Sequence, residues 1–300
     1  MINIYFSKKD VKLRPRQASP KLTAPAFAAI ICAGSELTES NHRLAGKGKL
    51  NIKKGINRMF STDHFIWIGL CAVFVAAMSV IAVKKKWRLK TAGVIMSVIC
   101  LFSEVSKVMS DMTESAKGGM HLDPRSLPFH LCSLMIFAVL FITFGKESKA
   151  KRLVINFVAV MGTLGSFCAI MIPTNGTDFT TLPAYQCFVY HAGLMWFALY
   201  LIFSGEAKLG LRNMLENMGI LLALSFIMLY VNGALSAYET NFFYLTRPPM
   251  DNLPYLNLNH GWYAYLGRML LLGLVLISLF HLPFILHTFS ASRASRRPRQ

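Results

Sequence analysis

Long apolar runs recur along this chain, and they constrain its fold more than any other feature of the sequence. About 20 consecutive apolar residues are enough to span the hydrocarbon core of a bilayer as an α-helix. The chain is 54% hydrophobic and only 15% charged, which is too little charge to coat an ordinary soluble domain. We therefore predict an all-α, polytopic membrane protein, a bundle of about seven transmembrane helices.

Turn residues and charged residues separate the runs. Pro128 stands where a first helical turn would open the third span, and Gly145 would close that span. Pro173 stops the fourth span and Gly205 the fifth. The predicted spans are His64–Val83, Leu89–Val108, Leu127–Phe144, Leu153–Ile172, Tyr185–Ser204, Asn213–Gly233 and Gly261–Leu286.

Charge predicts the orientation. The formal net charge is +18, but no segment resembles a module that reads DNA or RNA, so we predict no nucleic-acid partner. Lys and Arg are instead concentrated in the loops after spans one, three and five and in the C-terminal tail. Cytoplasmic loops carry this excess. The sequence thus predicts a multi-pass protein of the cell membrane with its N-terminus outside and its C-terminus cytoplasmic.

Three regions follow from this pattern. Residues 1–58 are basic and lack sustained periodicity, which predicts a disordered N-terminal extension or, alternatively, a secretory signal. Because so basic a segment contradicts an outside N-terminus, we favour Met59 as the natural start. Residues 59–290 are predicted to form the transmembrane domain, and residues 291–300 a basic cytoplasmic tail.

Polar side chains gather near the outer ends of the predicted spans. From the helical rise, Cys132 would lie about 7 Å and His191 about 9 Å below the outer ends of spans three and five. At the same level lie Glu104, Lys107, Asn232 and Arg268. Ionisable groups at membrane depth usually face a bundle interior or a wet cavity. For Glu104 and Lys107, mutual neutralisation near the interface is the alternative.

Cys132 and His191 form the predicted catalytic pair. A thiol needs a base to act as a nucleophile near neutral pH, and imidazole is a common partner. His130 is two residues from Cys132, about 200° around a helix, so His191 on another span is the better base. His130 would line the pocket or polarise a carbonyl.

Other interpretations of these residues remain open. The histidines can be interfacial hydrogen-bonding groups, or His130, Cys132 and His191 can be ligands of a metal ion. An oxidising face would allow a disulfide among Cys132, Cys168 and Cys187. Cys187, four residues before His191, is also the alternative nucleophile.

An aromatic loop precedes the last span and contains Asn241, Tyr244 and Arg247. Its two prolines, Pro248 and Pro249, make it stiff, and Tyr with Arg suits the headgroup level. The loop is either an interfacial cover over the helix ends or a lid in which Arg247 contacts a lipid phosphate.

At these residues the chain resembles the YwaF-like bacterial membrane proteins, whose animal relative is transmembrane protein 164. The resemblance rests on Leu127–Leu134 (LPFHLCSL), on Tyr190-His191, and on Thr240-Asn241-x-x-Tyr244-Leu245 followed by Arg247-Pro248. It implies an acyltransferase that moves a fatty acyl chain onto a lysophospholipid, with Cys132 as nucleophile and His191 as base. Relatives usually have a Pro- and Trp-rich turn before the last span, where this chain has Asn259–Tyr265 (NHGWYAY).

The predicted function is therefore a membrane-embedded lipid acyltransferase that forms a thioester on Cys132. Its partners would be a membrane phospholipid or lysophospholipid, and we predict neither a cofactor nor a metal ion. One alternative is a non-catalytic transporter or lipid-binding protein whose polar cluster lines a pathway. Another is a lipid hydrolase that uses the same site with water as acceptor.

Overall fold

The protein folds into a bundle of α-helices, as a computed structural model shows for residues 60–114, 119–250 and 253–295. The predicted extension, residues 1–58, lies outside these ranges, as do residues 296–300 of the predicted tail. The described ranges contain seven α-helices: α1 Thr62–Lys84, α2 Leu89–Asp111, α3 Leu131–Phe144, α4 Lys149–Met171, α5 Leu182–Phe203, α6 Leu211–Ala234 and α7 Gly261–Ser295. All but α3 are long and apolar enough to cross a membrane. The predicted fold class is confirmed.

Helix α5 is the centre of the bundle. It packs against α1, α2 and α4, while α3 lies between α2 and α4, and α6 and α7 pair beside α4. In the most apolar stretch of α5, 61% of residues are buried, against 11% in α6 and in α7. Side chains such as Phe226 on α6 and Leu271 on α7 are exposed because lipid, not protein, is their expected neighbour.

Small residues set the closest helix contacts. A methyl group added at Gly162 of α4 would lie 3.1 Å from the side chain of Ala198 on α5. One added at Gly93 of α2 would collide with Thr143 of α3. Because lipid tails are as apolar as Leu, transmembrane helices associate through such close packing. These contacts bring α4 close to α5 and α2 close to α3.

Helix α3 is shorter than the predicted third span, which was placed at Leu127–Phe144. It begins only at Leu131 and has 14 residues, so its length is about 21 Å, less than a bilayer core of about 30 Å. The reason is Pro128, which disfavours helical geometry in the residue before it. Leu127 is accordingly extended, with φ −55° and ψ 147°. Pro128 precedes the helix and does not open it.

The connections at one end of the bundle carry most of the irregular structure. This site end is formed, among the described residues, by 112–114, 119–130, 172–181, 235–250 and 253–260. It contains a short antiparallel hairpin of β1, Met112–Glu114, and β2, Met120–Leu122. It also contains the 3₁₀ turns Pro124–Ser126, Ser236–Tyr238 and Phe242–Tyr244.

At the opposite end, the basic end, short connections join α1 to α2, α3 to α4 and α5 to α6. Helix α7 also ends here, and its C-terminal boundary differs from the predicted one. It continues through Pro283 to Ser295, past the predicted boundary at Leu286 and into the predicted tail.

Candidate functional site

Cys132 lies at the open N-terminus of α3. It is the second residue of the helix, not five residues inside it as predicted, because the helix starts at Leu131. The backbone N–H groups of Cys132 and Ser133 and the Ser133 hydroxyl lie near the Cys132 sulfur. Early N–H groups of a helix have no acceptor within the helix, and they favour negative charge. The half-buried thiol therefore lies beside donors that favour a thiolate or an oxyanion, while its burial disfavours that charge.

Tyr190 joins α5 to this helix start. Its hydroxyl donates a hydrogen bond of 2.5 Å to the backbone carbonyl of Cys132. The Tyr190 side chain is only 2% exposed, and its ring meets the imidazole of His191 edge-on at 5.1 Å between centroids. The turn of α5 that carries His191 therefore lies beside the start of α3.

His191 is buried, and one of its ring nitrogens is already engaged. Nδ1 lies 2.7 Å from the backbone carbonyl of Cys187 and 3.6 Å from its sulfur. A carbonyl oxygen can only accept, so Nδ1 carries the hydrogen and Nε2 keeps the free electron pair of the neutral ring. Nε2 is thus the basic atom of this imidazole. The same tautomer prevents Nδ1 from taking a proton from the Cys187 thiol.

Cys132 on α3 and His191 on α5, the predicted catalytic pair, lie on two neighbouring helices but are not hydrogen-bonded to each other. Within the described residues, no hydrogen bond joins the Cys132 sulfur to His191. Cys187, on the same face of α5 as His191, is nevertheless close enough to Cys132 for a charge on one thiol to act on the other. The structure thus brings the α5 face that carries Cys187 and His191 toward the start of α3.

His130 and the loop before α7 meet above Cys132. His130 is the N-cap residue of α3, and its side chain makes no capping hydrogen bond. Its ring lies 5.2 Å from that of Phe242 and 5.7 Å from that of Tyr244, between centroids. Burial raises the pKa of Tyr244, whose hydroxyl also hydrogen-bonds Thr174, so the phenol stays protonated at neutral pH.

Two asparagines hold that loop in place. The side chain of Asn232, buried at the end of α6, accepts from the backbone N–H of Phe242 at 2.9 Å and donates to its carbonyl at 3.0 Å. Asn241 accepts from the N–H of Thr246 at 3.0 Å and donates to the Arg247 carbonyl at 2.9 Å. The loop is therefore a fixed cover whose conformation depends on both amides.

Lys107 connects α2 to the chain that enters α3. Its ammonium donates to the Ser126 carbonyl at 2.8 Å and lies 4.0 Å from the Glu104 carboxylate. It is also close enough to His130 and Cys132 to act on their charge. The predicted ion pair with Glu104 is therefore present, but it is longer than the hydrogen bond from Lys107 to the Ser126 carbonyl.

Two predicted pocket residues contact loops instead. Arg247 donates to the Glu239 carbonyl at 3.1 Å, and Arg268 donates to the carbonyls of Tyr255 at 3.0 Å and Asn257 at 3.1 Å. Within the described residues, neither guanidinium hydrogen-bonds the start of α3. Both stabilise the connection between α6 and α7.

The sequence left a metal site and a disulfide open as alternatives, and the described residues form neither. Cys71, Cys100, Cys132, Cys168 and Cys187 are all free thiols. No group of three His, Cys, Asp or Glu side chains in these ranges gathers closely enough to hold a metal ion.

Sequence reasoning missed several residues that shape the site. Tyr190 and Ser133 stand in the sequence motifs described above, but neither has a predicted role of its own. Gln186, whose amide donates to the Ser103 hydroxyl at 2.7 Å, is absent from the sequence-based predictions. A signal was available for Gln186, since it is a polar residue early in an apolar span and has to find a partner.

These features define the class of protein: a polytopic α-helical membrane protein with a polar cluster at one end of its bundle. Residues 59–281 match the model of the TMEM164 family, and the chain belongs to that family. This match confirms the part of the predicted resemblance that concerns the relatives of transmembrane protein 164. No curated protein and no solved structure matches the chain.

Proposed function

We propose that this protein is a lipid acyltransferase that carries a fatty acyl chain on Cys132 and passes it to a lysophospholipid. The observation that carries the proposal is the position of the Cys132 sulfur, at an open helix N-terminus inside an apolar bundle and beside the α5 turn that bears His191. Buried thiols far from such groups are inert, whereas thiols at helix N-termini are the reactive ones.

In the first half-reaction, Nε2 of His191 takes the proton of the Cys132 thiol. The sulfur attacks the ester carbonyl of a phospholipid, and the carbon–sulfur bond of a thioester forms. The ester carbon–oxygen bond breaks, and the departing lysolipid oxygen receives the proton from the imidazole. Catalytic hydrogen bonds often tighten only when substrate is bound, so the missing contact between the two side chains is compatible with this step.

In the second half-reaction, the hydroxyl of another lysophospholipid gives its proton to Nε2 and attacks the thioester. A new ester forms, and the carbon–sulfur bond breaks as the sulfur regains the proton. The developing oxyanion would be stabilised by the N–H groups of Cys132 and Ser133, with the Lys107 charge nearby. No electron donor or acceptor is needed, because both half-reactions are acyl transfers.

The setting of the site supports a lipid substrate. Tyr244 and Phe242 form an aromatic cover with His130, and the surrounding helix faces are apolar and exposed. The YwaF-like resemblance points to the same chemistry. With the site end outside and the basic end cytoplasmic, the site would open toward the outer leaflet.

The decisive experiment is acyl exchange by the purified full chain. Phospholipid with a labelled acyl chain is mixed with unlabelled lysophospholipid, and labelled product is measured for wild type, Cys132→Ala and His191→Gln. We expect both variants to lose at least about 100-fold in rate, as loss of a nucleophile or its base requires. Cys168→Ala, which removes another free thiol, is the matched control and should retain activity. Turnover by Cys132→Ala at the wild-type rate would remove this mechanism.

The same assay separates transfer from hydrolysis. Release of free fatty acid that does not fall as lysophospholipid is added would identify water as the acceptor. A thiol-directed probe that labels Cys187 instead of Cys132 would move the nucleophile to α5.

A further inference from the structure

A cavity that is open to the surface lies at the basic end of the bundle. Its volume is about 780 Å³, and it is lined by the starts of α2 and α4 and the ends of α3 and α5. Ligand pockets in proteins typically have volumes of about 300–1,000 Å³. None of the residues of the Cys132 site lines this cavity, so it requires an explanation of its own.

One wall of the cavity is positive. Arg88 and Lys90 line it at the N-terminus of α2, and Arg88, the N-cap residue, makes no side-chain capping bond. Both side chains are exposed, and neither has a hydrogen-bond or ion-pair partner among the described residues. A helix N-terminus with free cations is a favourable position for a phosphate group.

The lining also carries one negative charge without an ion pair. Glu206 lines the cavity just after the end of α5, and within the described part of the chain its exposed carboxylate has no hydrogen-bond or ion-pair partner, although its charge acts on Tyr200. The other acid in the lining, Glu147, is already neutralised by Lys151 at 2.6 Å. The charges without an ion pair are therefore Arg88 and Lys90 at the start of α2 and Glu206 beyond the end of α5. The C-terminal end of a helix is the negative end of its dipole, so this side of the cavity favours a cation.

A buried donor behind the cavity is also unsatisfied. The indole N–H of Trp196 is completely buried and has no acceptor among the described residues. Its ring contacts two residues that line the cavity, Trp87 at 6.0 Å and Tyr200 at 6.4 Å between centroids. Trp196 does not itself line the cavity, so an occupant would meet the rings of Trp87 and Tyr200 and not this donor.

We infer that this cavity binds the headgroup of a zwitterionic glycerophospholipid. Arg88 and Lys90 at the start of α2 hold the phosphate, and Glu206 holds the ammonium group. Trp87 and Tyr200 supply the aromatic surface that is typical of the headgroup level of a membrane. The site shares no residue with the proposed acyl-transfer site, so either inference can fail without the other.

The test is lipid binding to the purified full chain, measured by native mass spectrometry. The probes are phosphatidylethanolamine, phosphatidylglycerol and diacylglycerol with identical acyl chains. The variants are the pair Arg88→Gln with Lys90→Gln, and Glu206→Gln. The matched control is Lys84→Gln with Lys85→Gln, which removes two exposed cations of the same end that do not line the cavity.

Wild type should retain phosphatidylethanolamine best and diacylglycerol least. Loss of Arg88 and Lys90 should weaken phosphatidylethanolamine binding about tenfold or more, because hydrogen bonds to charged groups are lost. Glu206→Gln should remove the preference over phosphatidylglycerol, and the control should match wild type. Equal binding by the Arg88/Lys90 variant and the control, or a wild-type preference for phosphatidylglycerol, would overturn the inference.

A soluble competitor distinguishes the source of the headgroup. Glycerophosphoethanolamine has the same phosphate and amine without acyl chains. It should displace the lipid only at concentrations far above that of the lipid itself. Displacement at equal concentration would assign the cavity to a soluble phosphate compound and overturn the lipid inference.

Discussion

The hydroxyl of Tyr190 on α5 donates a 2.5 Å hydrogen bond to the backbone carbonyl of Cys132 on α3. Because Tyr190 directly precedes His191, this bond ties the helix start that carries the thiol to the turn that carries the imidazole. Tyr190 touches neither reacting atom, so its place in the proposed mechanism is that of a positioning residue.

Tyr190→Phe removes this bond and leaves the ring in place. We expect a loss of about 1 kcal/mol in the free energy of unfolding, and a fall in kcat larger than any change in KM. Steady-state acyl exchange and denaturant unfolding in detergent measure both. Tyr200→Phe is the matched control, since it removes a tyrosine bond of 2.9 Å to the Trp87 carbonyl at the opposite end of the bundle. Equal effects of the two variants on kcat would contradict a positioning role for Tyr190.

The tautomer of His191 predicts different results for two cysteines. Nδ1–H is held by the backbone carbonyl of Cys187, and a change of side chain at that position leaves the carbonyl intact. Cys187→Ala should therefore keep transfer within about threefold of wild type, whereas Cys132→Ala should lose at least about 100-fold. Initial rates of labelled acyl exchange check both values. A larger loss in Cys187→Ala than in Cys132→Ala would reverse the roles of the two thiols.

Pro128→Ala tests the start of α3. With the restriction on Leu127 removed, the helix can extend toward its N-terminus and bury the free N–H groups near Cys132 within the helix. We expect acyl transfer to fall about tenfold or more while the bundle remains folded, because oxyanion donors are worth at least that much. Circular dichroism with the exchange assay separates activity from folding. Pro124→Ala, in the preceding 3₁₀ turn, should have little effect.

Asn232→Ala tests the loop that covers the site. The change leaves the buried N–H of Phe242 without a partner and its carbonyl with only the 3.4 Å bond from the Leu245 N–H, which should lower the free energy of unfolding by about 2 kcal/mol. Acyl transfer should fall as well, because Phe242 packs against His130. Thermal unfolding of the purified protein measures the first effect. Asn259→Ala, at an exposed position, should leave both quantities unchanged.

The helices were predictable because bilayer thickness is a strict constraint on apolar segments. The predicted boundaries of α1 and α2 differ from the observed ones by a few residues, since charged residues close both helices. The prediction failed at α3, where the apolar pattern continues upstream through Leu127 although the helix does not. Hydropathy cannot detect this difference, whereas the backbone restriction imposed by Pro128 can explain it.

The site residues remain a prediction, and their contacts followed only partly from the sequence. The counted levels of Cys132 and His191 changed because α3 begins at Leu131 and α5 at Leu182. The contacts of Arg247 and Arg268 did not follow from the sequence, because they depend on how residues 239–250 and 253–257 fold between α6 and α7. Long side chains at the membrane surface can reach many acceptors, and sequence alone does not choose among them.

The brevity of α3 has a consequence for the surrounding lipid. A helix of about 21 Å leaves about 9 Å of hydrocarbon thickness unmatched, and the irregular chain above it has to be shielded from the acyl tails. Such a mismatch is relieved when the bilayer thins locally. The leaflet would then form a dimple over His130, and glycerol ester groups would descend to the depth of the thiol. A substrate would reach the protein by lateral diffusion in the membrane plane, without leaving the bilayer for water.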